Sequence, residues 1–167
     1  IRSCVDVERH RAESLGVTIT SNVPLRISAA TGDHDALRRV IRNLIDNAIK
    51  YTPSGGVITV SARETGNQLA ISVSDTGKGI PEVDLPHVFE KFYRAASEDD
   101  QTGTAASGVG LGLYLAQHIV LQLDGELTVE STPGRGATFT VFLPRSVEDV
   151  ATTKTEEEAH VKALVGS

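Results

Sequence analysis

DHDALRRVIRNLIDNAIKYTP, residues 33–53, is the stretch whose reading decides the fold. Leu37, Val40, Ile41, Leu44, Ile45 and Ala48 recur at helical spacing and make one apolar stripe. Asp33 is a ready N-cap, and Thr52-Pro53 ends the helix because the residue before a proline avoids helical geometry. Asn43, Asn47 and Lys50 fall at i, i+4 and i+7 and so share a second line beside the stripe. Asparagine is a poor helix-interior residue, so two amides and an ammonium in one line need a reason. Either they form a plain solvated face or they do chemistry.

The chain of 167 residues is long enough for one domain with a sizeable core and too short for two ordinary ones. Its 40% hydrophobic and 23% charged residues are those of a soluble globular protein. A net charge of −6, aromatics at 4% and no Trp exclude both an electrostatic footprint for nucleic acid and a base-stacking surface. No apolar run reaches membrane-spanning length and the start has no signal-peptide pattern. The single Cys4 excludes an internal disulfide and fits a reducing compartment. The first residue is Ile1 rather than Met, so the chain is expected to be a piece of a longer protein.

Working outward, residues 1–15 are polar, weakly helical and read as the tail of a preceding element. Extended segments are expected near 17–20 and 25–28, separated by Ser21, Asn22 and Pro24. After the helix, Ile58, Val60 and Ala62, then Leu69, Ile71 and Val73, alternate with polar neighbours and predict a hairpin. The second strand runs into the glycine-rich SDTGKGIP loop, followed by LPHVFEKFYR. Residues 95–107 are small, polar and acidic, and read as a mobile loop. A second helix follows GVGLG, with Leu113, Ala116, Ile119, Val120 and Leu123 on its apolar side and Gly125 at its end. A last hairpin is expected over 127–131 and 137–143, and residues 146–167 form an acidic tail. The pattern predicts a two-layer α/β sandwich, a mixed, largely antiparallel sheet packed on one face by helices.

Two loops carry possible chemistry. Gly108-x-Gly110-x-Gly112 follows a loop rather than a strand and lacks Gly-Lys-Ser/Thr, so it is neither a Rossmann fingerprint nor a P-loop. Glycines at a helix start serve close packing, or they let an anion approach unpaired amides at the positive end of the dipole. Asp75-x-Gly77-x-Gly79 is an Asx-turn and bend, or a carboxylate placed to accept from an exocyclic amine such as that of adenine.

Taken in order, these stretches resemble the ATP-binding catalytic domain of sensor histidine kinases, within the wider group that includes gyrase, the Hsp90 chaperone and MutL. RNLIDNAIKYTP (42–53) is similar to that family's N box and DTGKGIP (75–81) to its first glycine box. VFEKFYR (88–94) resembles the F box, GVGLGL (108–113) the second glycine box, and GRGATF (134–139) the closing glycine-and-threonine segment. The resemblance covers about residues 17–144 and implies the Bergerat ATP-binding fold, with residues 16–145 as the catalytic domain. Residues 1–15 would be the junction from a helical dimerisation and phosphoacceptor domain, and residues 82–107 a mobile lid.

The resemblance implies ATP and Mg²⁺ as cofactors. Asn43 and Asn47 would face the triphosphate and hold the metal, Asn47 most directly, while Lys50 neutralises phosphate oxygens and Tyr51 borders the nucleotide. Asp75 would bind adenine, with Gly77, Gly79 and Ile80 shaping its pocket and Thr138 near the base or its waters. Arg94 and the run Gly108, Val109, Gly110, Leu111, Gly112 and Leu113 would meet the phosphates, and Phe89 and Phe92 would anchor the lid or serve as ordinary core residues.

The implied activity is transfer of the γ-phosphoryl group to a histidine of the dimerisation domain, for relay to a response regulator. None of His10, His34, His87, His118 and His160 has a phosphoacceptor context, so donation is expected in trans, by a monomeric domain. The setting implied is cytoplasmic, in a parent held in the bacterial cell membrane. Hydrolysing relatives carry a Glu where this chain has Asn43, and an amide is no general base, so slow hydrolysis is expected. Alternatives are a stand-alone serine kinase of the anti-sigma-factor type and a non-catalytic nucleotide-sensing module; a hydrolysing chaperone or topoisomerase domain is disfavoured by Asn43.

Overall fold

The computed structural model describes residues 1–30, 32–94 and 110–146. The first strong helix runs over His34–Tyr51, here α2, after an N-terminal helix α1 (Arg2–Ser14) and a strand β1 (Thr18–Asn22). The Asp33 carboxylate caps α2, accepting from the amides of Asp35 at 2.8 Å and Ala36 at 3.2 Å. Thr52 is already extended, and its amide closes the last turn on Ala48. Val40, Ile41, Leu44, Ile45, Ala48 and Ile49 are buried along one side. Burial of each large side chain contributes about 1.5–3 kcal/mol, against a few tenths lost to an Asn in the helix, so the core face decides that this segment is helical.

The remaining elements are β2 (Val57–Thr65), β3 (Gln68–Asp75), a 3-10 turn at Leu85–His87, α3 (Gly112–Gln122), β4 (Glu126–Thr132) and β5 (Gly136–Pro144). They form a five-stranded sheet in the order β1-β2-β3-β5-β4. Only β1–β2 is parallel; the other three pairs are antiparallel. Alternate residues Ile58, Val60 and Ala62, Leu69, Ile71 and Val73, and Phe139, Val141 and Leu143 face the helices and fill the core with α2. The opposite face is a ladder of hydroxyls: Ser72 with Thr140 at 3.0 Å, Ser74 with Thr138 at 2.9 Å, Thr20 with Thr59 at 3.1 Å. A fold of this kind places the end of β3, the C-terminal half of α2 and the start of α3 at one end of the sandwich.

Two expectations change, and one segment is better integrated than its composition suggests. Residues 1–15 supply α1, which packs on β1 and α2 and contributes Cys4, Val5 and Ala12 to the core. Its stripe is hard to read because a charged residue, Glu8, occupies a buried position, paired with Arg11 and Arg42 at 3.5 Å each. Residues 25–28 make no strand; Leu25 is exposed, and pairing in this region is one isolated bridge between Ala30 and Arg145. Gly125 is not the left-handed residue after α3, which is Asp124 (φ 54°). Gly125 is instead required by contact, since a Cβ there would lie 2.4 Å from the Phe142 carbonyl oxygen. The tail over 147–167 and the lid residues 95–107 lie outside the described residues.

Leu44→Ala should lower the unfolding free energy by about 2–5 kcal/mol in urea denaturation. Val7→Ala, on the 68% exposed side chain of α1, should stay within about 0.5 kcal/mol of the unmodified chain.

Candidate functional site

A cavity of about 320 Å³ opens between the C-terminal half of α2, the loop after β3, the 82–94 segment and the start of α3, with Ala137 and Phe139 of β5 beneath it. Its volume lies within the range of small-molecule sites. Its two ends differ chemically.

At one end is Asp75, the last residue of β3, only 8% exposed. Its Oδ1 accepts from the amides of Gly77 at 2.8 Å and Ala137 at 3.3 Å. No donor among the described residues reaches Oδ2, which leaves an acceptor for the cavity. Burial pushes the carboxyl up from its ordinary 3.8, opposed by those two amides. Ile80, Val88, Leu113 and Phe139 supply apolar walls around it.

At the other end stand Asn43, Asn47 and Lys50 on one line of α2, facing Gly110, Leu111 and Gly112. Asn43 Nδ2 donates to the Gly112 carbonyl at 3.3 Å, fastening α2 to the start of α3 and leaving the amide oxygen as an acceptor. Gly110 has φ +72°, and a Cβ there would lie 2.8 Å from the Tyr93 carbonyl oxygen, so the turn into α3 requires glycine. Lys50 and Lys78 place their ammonium groups 5.0 and 5.1 Å from the Tyr51 ring centroid. Arg94 also lines the cavity. Asp46 adds a carboxylate here, hydrogen-bonded to Arg11 of α1.

Twelve sequence-derived candidates therefore come together: Asn43, Asn47, Lys50, Tyr51, Asp75, Gly79, Ile80, Arg94, Gly110, Leu111, Gly112 and Leu113. Gly108 and Val109 lie outside the described residues. Four candidates stand elsewhere. Gly77 is behind the wall, where a Cβ would lie 2.3 Å from the Tyr51 carbonyl oxygen; it lets the loop seat on the end of α2. Thr138 is on the hydroxyl ladder of the opposite sheet face, because its neighbours Ala137 and Phe139 face inward. Phe89 does not line the cavity but packs edge-on against Phe139, ring centroids 6.3 Å apart. Phe92 is 57% exposed, so its backbone rather than its ring fastens the segment, its amide donating to Gly110 at 3.0 Å.

Sequence reasoning missed Asp46, Ala48, Lys78, Val88, Tyr93, Ala137 and Phe139. Ala137 and Phe139 had a signal, the inward parity of β5. Tyr93 had none, for its hydroxyl donates to Asp84 at 2.6 Å across a turn no pattern predicts, and that bond pushes its phenol up.

Residues 32–147 match a family described as histidine kinase-, DNA gyrase B-, and HSP90-like ATPases. The chain belongs to this family. Among its relatives is the sensor-like histidine kinase SenX3 of Mycobacterium tuberculosis (strain H37Rv), 34% identical over 160 residues, which cover 95% of this chain and 38% of SenX3. The adaptive-response sensory kinase SasA of Synechococcus elongatus is 40% identical over 127 residues, 75% of this chain and 32% of SasA. The chain thus spans about a third to two-fifths of the length of these curated relatives. Its fold matches the mycobacterial sensor histidine kinase MprB with a TM-score of 0.70 at 27% identity, covering 86% of this chain and 93% of that one. Full-length ShkA in complex with AMPPNP gives a TM-score of 0.74 at 26% identity, covering 87% of this chain and 29% of that one. No helix among the described residues is long and apolar enough to cross a membrane.

Members of this ATPase family bind ATP, and the donor set suits a phosphate-borne cation. The described residues hold no cluster of three or more His, Cys, Asp or Glu that could grip a metal unaided. The neutral amide oxygens of Asn43 and Asn47 fit a hard cation that brings phosphate oxygens and water with it.

The raised Asp75 carboxyl has a consequence for the ligand-free domain. The native chain holds this proton more tightly than the unfolded chain, so stability falls as pH rises from 3.8 through the native value, and the cost persists above it. Asp75→Asn keeps the Oδ1 acceptor and removes the charge. Thermal melts should show this variant at least as stable as the unmodified chain at pH 7, with the difference shrinking as pH is lowered.

Proposed function

We propose that this domain binds ATP with Mg²⁺ and donates the γ-phosphoryl group to a histidine on the dimerisation domain of its parent sensor kinase, for relay to a response-regulator aspartate. One observation carries the reading: a single cavity has a buried, half-satisfied carboxylate at one end and two amides with an ammonium at the other. A carboxylate oxygen facing an apolar slot accepts from the exocyclic amine of adenine, and guanine presents a carbonyl at that edge. The distance between the ends is then spanned by ribose and phosphates.

Asn47 and Asn43 would hold the metal with the phosphates, Lys50 would neutralise phosphate oxygens, and the amides at the start of α3 would face the transferring group. Mg²⁺ held there would supply charge neutralisation on the phosphates. The protein's own contribution is positioning and fixed dipoles aimed at the charge of a loose transition state. The accepting imidazole is neutral near pH 7 and needs no base to activate it. Asn43 Nδ2 is committed to the Gly112 carbonyl, and its amide cannot take a proton from water. The domain should therefore transfer phosphate far faster than it hydrolyses ATP.

Calorimetric titration with ADP and a non-hydrolysable ATP analogue, with and without Mg²⁺, tests the binding step. Asp75→Asn should weaken both ligands by roughly 10- to 100-fold, the loss of a hydrogen bond to a charged group; undiminished binding would sink the adenine assignment. Labelled ATP with a cognate dimerisation domain should yield an acid-labile, base-stable phosphoprotein. An acid-stable product would instead mean a serine kinase, and no product at all a nucleotide sensor. Phosphate release without the acceptor should remain slow, and rapid release would contradict the role given to Asn43.

A further inference from the structure

Lys78 lines the cavity from a loop whose backbone is held on both sides. Its amide donates to the Tyr51 carbonyl at 3.3 Å, and its carbonyl accepts from the Gly134 amide at 2.8 Å. The backbone is thus pinned between the end of α2 and the β4–β5 turn. Its exposed side chain reaches back over the cavity mouth, with Nζ 5.1 Å from the Tyr51 ring centroid. Lys50 Nζ lies 5.0 Å from the same centroid, so two cations share one ring. Neither lysine pairs with a carboxylate among the described residues.

The two lysines differ in what else lies near them. Lys50 stands one helical turn from Asn47, on the line that faces the start of α3. Lys78 stands three residues beyond Asp75, on the loop that forms the other end of the cavity. Lys50 is thus the nearer of the two to an anion between α2 and α3, and Lys78, pinned by its backbone, is the nearer to the Asp75 end.

We propose that Lys78 is a positioning residue for base recognition: its ammonium holds the Tyr51 ring against the Asp75 end of the cavity through a cation–π contact, while Lys50 serves the phosphates. This rests on the ATP reading given above. The contact acts on the base and is blind to the number of phosphates. At an exposed ring it changes affinity by about two- to five-fold.

The test is titration of adenosine, ADP and a non-hydrolysable ATP analogue into the unmodified chain, Lys78→Met, Lys78→Arg and Lys50→Met, with NMR observation of the Tyr51 ring. Lys78→Met keeps the stem without the charge and should weaken all three ligands by the same factor, roughly two- to five-fold. Lys78→Arg should restore them, since a guanidinium also stacks on an aromatic face. The Tyr51 ring signals should move in Lys78→Met without ligand and return in Lys78→Arg. Lys50→Met should weaken ADP and the analogue and spare adenosine. A Lys78→Met loss confined to phosphate-bearing ligands, a loss that Arg does not rescue, or no loss with unmoved ring signals would overturn the assignment while leaving the ATP reading intact. Absence of any binding by the unmodified chain would take both down.

Discussion

A carboxylate taken out of water must be held by hydrogen bonds or become protonated, and the candidate site is arranged around one such group, Asp75. Its Oδ1 is shared by the Gly77 amide of its own loop and the Ala137 amide of β5, so one oxygen ties two segments together. That convergence tolerates no side chain at the crossing. A Cβ on Gly136 would lie 1.9 Å from the Asp75 carbonyl oxygen, in a residue already at φ +91°. The same packing seats the loop on the last residue of α2 and brings Lys78 over Tyr51. Two amides do not fully offset the burial, and the carboxyl remains raised. The ligand-free domain thus carries a group that costs stability and that a bound amine would relieve, a common trade between stability and function.

Helix α2 supports this end of the molecule because it answers two demands with one period. Its buried face supplies the larger energy, several side chains at about 1.5–3 kcal/mol each, and fixes the helix against β2 and β3. The line of Asn43, Asn47 and Lys50 is then presented to α3, where the Asn43 amide fastens the two helices together. The Arg11–Asp46 pair between α1 and α2 matters less for stability, since both side chains are half exposed and such a pair contributes about 0–1 kcal/mol. Its effect is electrostatic: Arg11 offsets a carboxylate that would otherwise stand unpaired beside the polar end of the cavity.

What the sequence made legible is what is local. The Asp33 cap, the α2 stripe, the alternation in β2 and β3 and the two hairpins follow from short-range pattern, whereas the strand order β1-β2-β3-β5-β4 is set by long-range pairing that no local pattern carries. Where pattern failed, a tertiary partner had overridden it. Glu8 breaks the α1 stripe because Arg11 and Arg42 satisfy it in place. Residues 25–28 have strand-like composition but find no neighbouring edge apart from the bridge at Ala30. Thr138 illustrates a signal that was present, since strict alternation of Ala137, Phe139, Val141 and Leu143 toward the core sends it outward. Lys78, Tyr93 and Val88 reach the cavity only through loop paths that no periodicity encodes.

The proposed binding mode gives the cavity a polarity, base at Asp75 and phosphates between α2 and α3. The measurement that tests this polarity most directly is an NMR spectrum of the labelled domain with a non-hydrolysable ATP analogue and Mn²⁺ in place of Mg²⁺. Paramagnetic broadening should be strongest at Asn43 and Asn47 and fade toward Asp75 and Ala137. Broadening centred on Asp75, or on the hydroxyl face at Ser72 and Thr140, would contradict it.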